Sequence, residues 1–226
     1  MTRPVLVVLA RSPVAGAGKT RLRHTLGDVV DHLAAAFLQD TLGWASQGDW
    51  HVLVAHHGPP NQLRSLAPHA WLIPQVDGDL GARITSAVAT AFGRGGSRVV
   101  LIGTDSPTLP HPLVAASFAA LSSADATVVP AIDGGWVAIG VTSPLDDVLD
   151  QVPWSSAMTC AETVRALQRT GRHVVHLPPW YDIDELADLR RLREELGGPA
   201  AARSPRTAAL LQRSSALVAA LGRIAA

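Results

Sequence analysis

Cysteine is nearly missing from this chain. Its 226 residues contain only Cys160, so no intramolecular disulfide and no cysteine-built zinc cluster can hold the fold together. A lone thiol suits a reducing cytoplasm, the expected compartment. Excess charge is missing too: 19 Lys and Arg face 19 Asp and Glu, a formal net charge of zero. That excludes the broad positive face on which general nucleic-acid binding depends. Long apolar runs are also lacking. Residues 5–10 (VLVVLA) follow a single arginine and are too short for a secretion signal or a membrane span. No fixed-period repeat argues for a solenoid. With 47% hydrophobic and 17% charged residues, the composition is that of a globular protein, and a chain this long buries roughly 70% of its unfolded surface without staples.

Short β-branched runs alternate with helical periodicity. Residues 5–10, 50–55, 71–74, 98–103, 127–130, 136–141 and 173–177 read as strands, several of them apolar on both faces. Between them, apolar spacings of three to five predict helices over 19–46, broken at Gly27-Asp28, and over 61–66, 80–92, 110–121, 161–169 and 184–196. This alternation specifies an α/β fold with a mostly parallel sheet covered on both faces. Residues 1–197 form the expected catalytic domain. Beyond Gly197-Gly198-Pro199 an Ala-rich linker leads to one amphipathic helix over 207–224, suited to packing on its own domain or on a second subunit of a homodimer.

Ligands of such sheets bind beyond the carboxyl ends of the strands, which singles out four loops. The first, Arg11-Ser12-Pro13-Val14-Ala15-Gly16-Ala17-Gly18-Lys19-Thr20-Arg21, is not a P-loop, since Pro13 stands where the first glycine belongs. Nor is it a dinucleotide fingerprint, since Arg21 replaces the third glycine. It is a glycine-bearing turn into a helix with three cations, Arg11, Lys19 and Arg21. Backbone N–H groups at a helix start plus such cations form a phosphate site; solvated basic residues on an ordinary loop are the plain alternative.

Thr104-Asp105-Ser106-Pro107 follows the fourth strand, where Asp105 can hold Mg2+ against phosphates or merely cap a turn. In Asp133-Gly134-Gly135-Trp136, the glycines either make a hairpin turn or let backbone approach a ligand that Asp133 bonds and Trp136 walls. Late in the chain, Asp184 is the expected N-cap of the charged helix, leaving Asp182 as a second metal ligand. The histidines show no ligand spacing. Ser155-Ser156 lacks a nucleophile elbow, which disfavours a serine hydrolase.

In order, SPxxGxxKTRL, QxDGDLGxR, GTDSP, DGGW, a Trp-Ser pair and a late DxDE resemble DUF2064, a family of uncharacterised bacterial proteins described as glycosyltransferase-like. The resemblance spans about residues 4–195. It implies the nucleotide-diphospho-sugar transferase superfamily: a Rossmann-like α/β/α sandwich with a mixed, mostly parallel central sheet. The first loop also resembles that of nucleotidyltransferases, which implies triphosphate contacts for Lys19 and Arg21 and for Arg11, Gly16 and Gly18 around them. Thr104-Asp105-Ser106-Pro107 resembles a Cys-Asp-x-Pro motif whose Asp binds Mg2+. Where sugar-transferring members carry a DxD motif, Thr104-Asp105-Ser106 has one acid. The usual DGGY is DGGW here. Gln75, Asp79 and Arg83 resemble family positions near the helix after the third strand and could touch base or ribose; the alternative role of Arg83 is a plain salt bridge to Asp79.

The resulting expectation is a Mg2+- or Mn2+-dependent transferase. Lys19, Arg21 and Asp105 are its catalytic set, Arg11, Gly16, Gly18, Lys19, Gln75 and Arg83 bind the nucleotide, Asp133 to Trp136 bind substrate, and Asp105 and Asp182 hold metal. Its partners are an NTP or NDP-sugar and a small-molecule acceptor. Nucleotidyl transfer with pyrophosphate release is set against glycosyl transfer, with Asp133 or Asp182 as base, and against a non-catalytic nucleotide-binding protein.

Overall fold

A computed structural model describes residues 3–12 and 19–222. In chain order the elements are β1 (Val5–Arg11), α1 (Thr20–Leu26), α2 (Val29–Ala45), β2 (His51–His57), α3 (Asn61–Leu66), β3 (Trp71–Pro74), α4 (Leu80–Gly93) and β4 (Val99–Ile102). There follow α5 (His111–Ala120), β5 (Ala126–Pro130), β6 (Trp136–Val141), α6 (Thr159–Arg169), β7 (Val174–His176), α7 (Leu186–Glu195), a 3-10 turn (Pro199–Ala202), α8 (Pro205–Arg213) and α9 (Ser215–Leu221).

The seven strands form one sheet in the order β3-β2-β1-β4-β6-β5-β7. β6 runs antiparallel to both β4 and β5, and every other pairing is parallel. The pleat divides each central strand between two cores. Val5 and Val7 of β1 face one side with Ile84 and Val88 of α4 and Leu167 of α6, whereas Leu6 and Val8 face the other with Leu38 and Leu42 of α2 and Phe118 of α5. Burial on both faces is why β1 and β4 read as unbroken apolar runs rather than alternating ones. The sandwich is therefore the mixed, mostly parallel one expected. No described helix is long and apolar enough to cross a membrane.

Two expectations about the last third need correction. The segment after Gly197 is neither an open linker nor a single helix. It forms the 3-10 turn, then α8 and α9, divided at Ser214, whose hydroxyl accepts from Leu217 N at 3.4 Å and so starts a new helix. Ala208 and Leu211 of α8 and Leu217 and Leu221 of α9 enter a third core with Leu33 and Phe37 of α2 and Leu189 and Leu192 of α7. In α7 the N-cap is Glu185, in a reciprocal capping box with Asp188, which releases Asp184 from that duty.

Asp40, buried in α2, accepts from Arg206 N at 3.1 Å and Thr207 N at 2.8 Å, capping α8 from across the interface. Asp40→Ala should cost about 1–2 kcal/mol, the usual worth of a cap, and lower the melting temperature by about 4 °C in thermal denaturation.

Candidate functional site

The strand order reverses between β1 and β4, the position where open α/β sheets leave a crevice above their carboxyl ends. The loops leaving these two strands meet there. Lys19, directly before α1, places its ammonium 3.0 Å from Asp105 Oδ1, in the loop after β4. It lies 3.3 Å from Asp184 Oδ1 and also donates to the Ile183 carbonyl.

The partner segment, residues 180–185, arrives from β7 at the far side of the sheet. Trp180 N donates to Pro130 O at 2.9 Å and extends the β5–β7 pairing, then the chain crosses back until Ile183 N reaches Asp105 O at 2.9 Å. Ile183 is fully buried in the third core. Residues two apart in extended chain share a face, so burying Ile183 turns Asp182 and Asp184 together toward the rim. Asp133, from the loop after β5, joins them, and one carboxylate oxygen from each of the three lies within 4.8 Å of the others.

The crowding is felt at Asp182. Asp182 is pushed up to about 6, first by its partial burial and then by the charges of Asp133 and Asp184. Lys19 shows the opposite balance. Burial of its side chain, 7% exposed, works against the charged form, yet Asp105 and Asp184 outweigh it and hold the amine above its ordinary range. The trio is a set of hard oxygen donors whose repulsion a divalent cation would relieve, and it fits Mg2+ or Mn2+.

Residues 32–156 match DUF2064, described as an uncharacterized protein conserved in bacteria. Over 98% of its length the chain is 30% identical to a candidate nucleotide-diphospho-sugar transferase from Desulfovibrio desulfuricans G20, covering 99% of that protein with a TM-score of 0.89. The chain belongs to the DUF2064 family. More distant structures share the fold alone. One is 4-diphosphocytidyl-2C-methyl-D-erythritol synthase, with 12% identity and a TM-score of 0.57 over 87% of this chain and 99% of that one. Another is a cytidylyltransferase from Leptospira borgpetersenii, with 13% identity and a TM-score of 0.55 over 95% of this chain and 99% of that one. None of the curated proteins is a sequence match.

Several residues of this DUF2064 protein stand differently from the sequence expectation. Asp105 pairs with the Lys19 ammonium and lies outside the trio, whereas Asp182 lies within it. Asp184, expected as a cap, is the third member. The late DxDE of the sequence, Asp182-Ile183-Asp184-Glu185, supplies the paired acids that Thr104-Asp105-Ser106 lacks. Gly134 does not open backbone to a ligand. At φ +94°, a Cβ there would lie 2.1 Å from the Ala157 carbonyl oxygen, so this glycine admits the protein's own chain. Gly135 N donates to Asp133 Oδ1 at 2.8 Å and fixes that carboxylate. Trp136 spends its indole N–H on Thr163 at 3.2 Å and meets Trp154 edge to face.

Gln75 donates its amide to the carbonyls of Ala10 at 3.1 Å and Ala55 at 2.8 Å, tying together the ends of β1 and β2. That use leaves its amide oxygen, rather than its nitrogen, for a base. Asp79 caps α4 by accepting from Ala82 N at 2.8 Å, and no Asp79–Arg83 ion pair occurs among the described residues. Arg83 Nε is buried there without a hydrogen-bond partner. Arg11 ends β1, exposed on the rim. Arg21 is also exposed and pairs with Glu185 at 3.4 Å, a contact worth little in water. Gly16 and Gly18 lie outside the described residues.

Proposed function

We propose that this DUF2064 protein transfers a nucleotidyl group from a nucleoside triphosphate to a phosphorylated or acidic small-molecule acceptor, releasing pyrophosphate. The supporting observation is the pairing of a buried ammonium, Lys19, with acids of two loops at the β1/β4 crevice, beside the carboxylate trio. Pyrophosphate leaves with high negative charge, and fixed cations aimed at the leaving oxygens are the largest aid a protein offers such a step. Lys19, with Arg11 and Arg21 on the same rim, supplies that charge. Asp182, Asp184 and Asp133 would hold Mg2+ or Mn2+, which supplies Lewis-acid neutralisation of phosphate oxygens. Asp105 holds Lys19 in position.

Glycosyl transfer from a nucleotide-sugar is the second reading, favoured by the Desulfovibrio relative's description as a candidate nucleotide-diphospho-sugar transferase. Product identity separates the two. With Mg2+ present, one NTP should raise the melting temperature by about 5–10 °C at a hundred times its dissociation constant, and acceptor-dependent turnover should release pyrophosphate. A shift with NDP-sugars alone, accompanied by nucleoside diphosphate release, would overturn nucleotidyl transfer.

A further inference from the structure

Lys19 stands in an unusual position for a phosphate-binding cation, because its binding capacity is already spent. An ammonium has three N–H donors, and here Asp105, Asp184 and the Ile183 carbonyl take them. The group is enclosed rather than presented to solvent, with the Phe37 ring centroid 5.9 Å from the nitrogen. Asp184 belongs at once to this ion pair and to the carboxylate trio. A divalent cation on the same small carboxylate would stand close to the ammonium and repel it. The backbone at Lys19 is left-handed, at φ 50° and ψ 44°, a conformation that is unfavourable outside glycine and is kept only where surrounding contacts such as these hold it.

We propose that Lys19 is a resident counter-ion that holds the acidic site against a divalent cation until a phosphate-bearing donor draws the ammonium away. The proposal depends on the reading of Asp182, Asp184 and Asp133 as the cation's ligands. Donor and cation then bind with positive coupling: phosphate oxygens give Lys19 a new partner, and Asp184 is freed for the cation. By linkage the effect is reciprocal, so the bound cation also favours the displaced ammonium and tightens the donor. Metal alone binds weakly, and the fully charged site assembles only around its donor.

Mn2+ alone, titrated into the purified protein and followed by the loss of its free-ion paramagnetic resonance signal, tests this without any turnover. Lys19→Met keeps the length of the side chain without its charge and should bind Mn2+ on the order of tenfold tighter than the parent. Lys19→Gln should do the same, and Lys19→Arg should keep the weak affinity of the parent. Far-ultraviolet circular dichroism verifies that each variant is folded. Equal or weaker Mn2+ binding by folded Lys19→Met and Lys19→Gln, with the parent binding measurably, overturns the counter-ion role alone. If Asp184→Asn leaves the tight binding of Lys19→Met unchanged, or if no form binds Mn2+, the assignment of the cation's ligands fails and the counter-ion role falls with it.

Discussion

Asp182→Asn should make the protein more stable and less able to bind metal. At about pH 7.5 the Asp182 carboxylate is ionised and repelled by Asp133 and Asp184 in partly buried surroundings, and its folded pKa of about 6 lies above the ordinary carboxylate value. Because the folded state holds this proton more tightly than the unfolded state, rising pH destabilises the fold between the unfolded pKa and about 6, after which the cost is constant. Allowing for partial exposure, the amide should recover about 1–2 kcal/mol at neutral pH. In acid, below the unfolded pKa, both carboxylic acid and amide are neutral and the gain disappears. Melting curves of parent and variant across this range test the sign: an advantage of the variant that shrinks as pH rises through that window would contradict the crowded trio. In the same variant Mn2+ affinity should fall by more than about a hundredfold, because even outer partners of metal ligands are worth ten- to a hundredfold. A residue that weakens the empty protein while serving its ligand is the usual trade between stability and activity.

Glu195→Ala should be the most damaging single change outside the apolar core. Glu195, at the end of α7, accepts from Thr108 Oγ1 at 2.9 Å and from the Tyr181 hydroxyl, and pairs with Arg203 at 3.5 Å. Tyr181 is 4% exposed and Thr108 1%, so removing the carboxylate takes the shared acceptor from two interior hydroxyls, which keep only a long 3.4 Å contact with each other, at about 1–3 kcal/mol each. A loss of about 4 kcal/mol and about 10 °C in melting temperature is expected. Glu195→Gln retains an acceptor and should recover about half of it. These contacts sit directly behind the site. Ser106 Oγ donates to Tyr181 O at 2.8 Å, and Ser204 Oγ donates to Pro107 O at 2.7 Å. One network therefore clamps the Asp105 loop, the Asp182–Asp184 segment and the chain beyond Gly197. Mn2+ affinity measured well below the melting temperature should fall in Glu195→Ala and return in Glu195→Gln; a destabilised variant with parental affinity would confine Glu195 to a structural role.

The fold was legible because strand and helix periods differ. β3 and β6 have the boundaries that their apolar runs predict, and burial on both faces made β1 and β4 continuous rather than alternating. The single reversal at β6 left no mark in its own pattern, since a buried antiparallel strand is as apolar as a buried parallel one. The terminal break at Ser214 was hidden by leucines that keep helical spacing across it. At the site, Lys19, Asp105, Asp133 and Asp182 stood out as charged groups at strand ends. Asp184 did not, because an acid before a helix satisfies the rule for an N-cap, and the sequence offers two adjacent acids there; the local capping box with Asp188 gives the duty to Glu185. The partners of Gln75 and Gly134, at Ala10, Ala55 and Ala157, are backbone groups that no side-chain pattern announces.

The long reach of the Lys19 contacts also bears on the order of events at the ribosome. Lys19 meets Asp184 across 165 positions, and Asp40 caps α8 across 167. β1, β2 and β3 can pair while the chain is still being made. Until residues 181–207 emerge, however, Lys19 lacks Asp184, and Asp40 lies unpaired on an uncovered face of α2. The nascent protein therefore acquires its sheet early and its site only once residues 181–207 have followed. A product truncated before residue 181 should be a sticky, inactive intermediate.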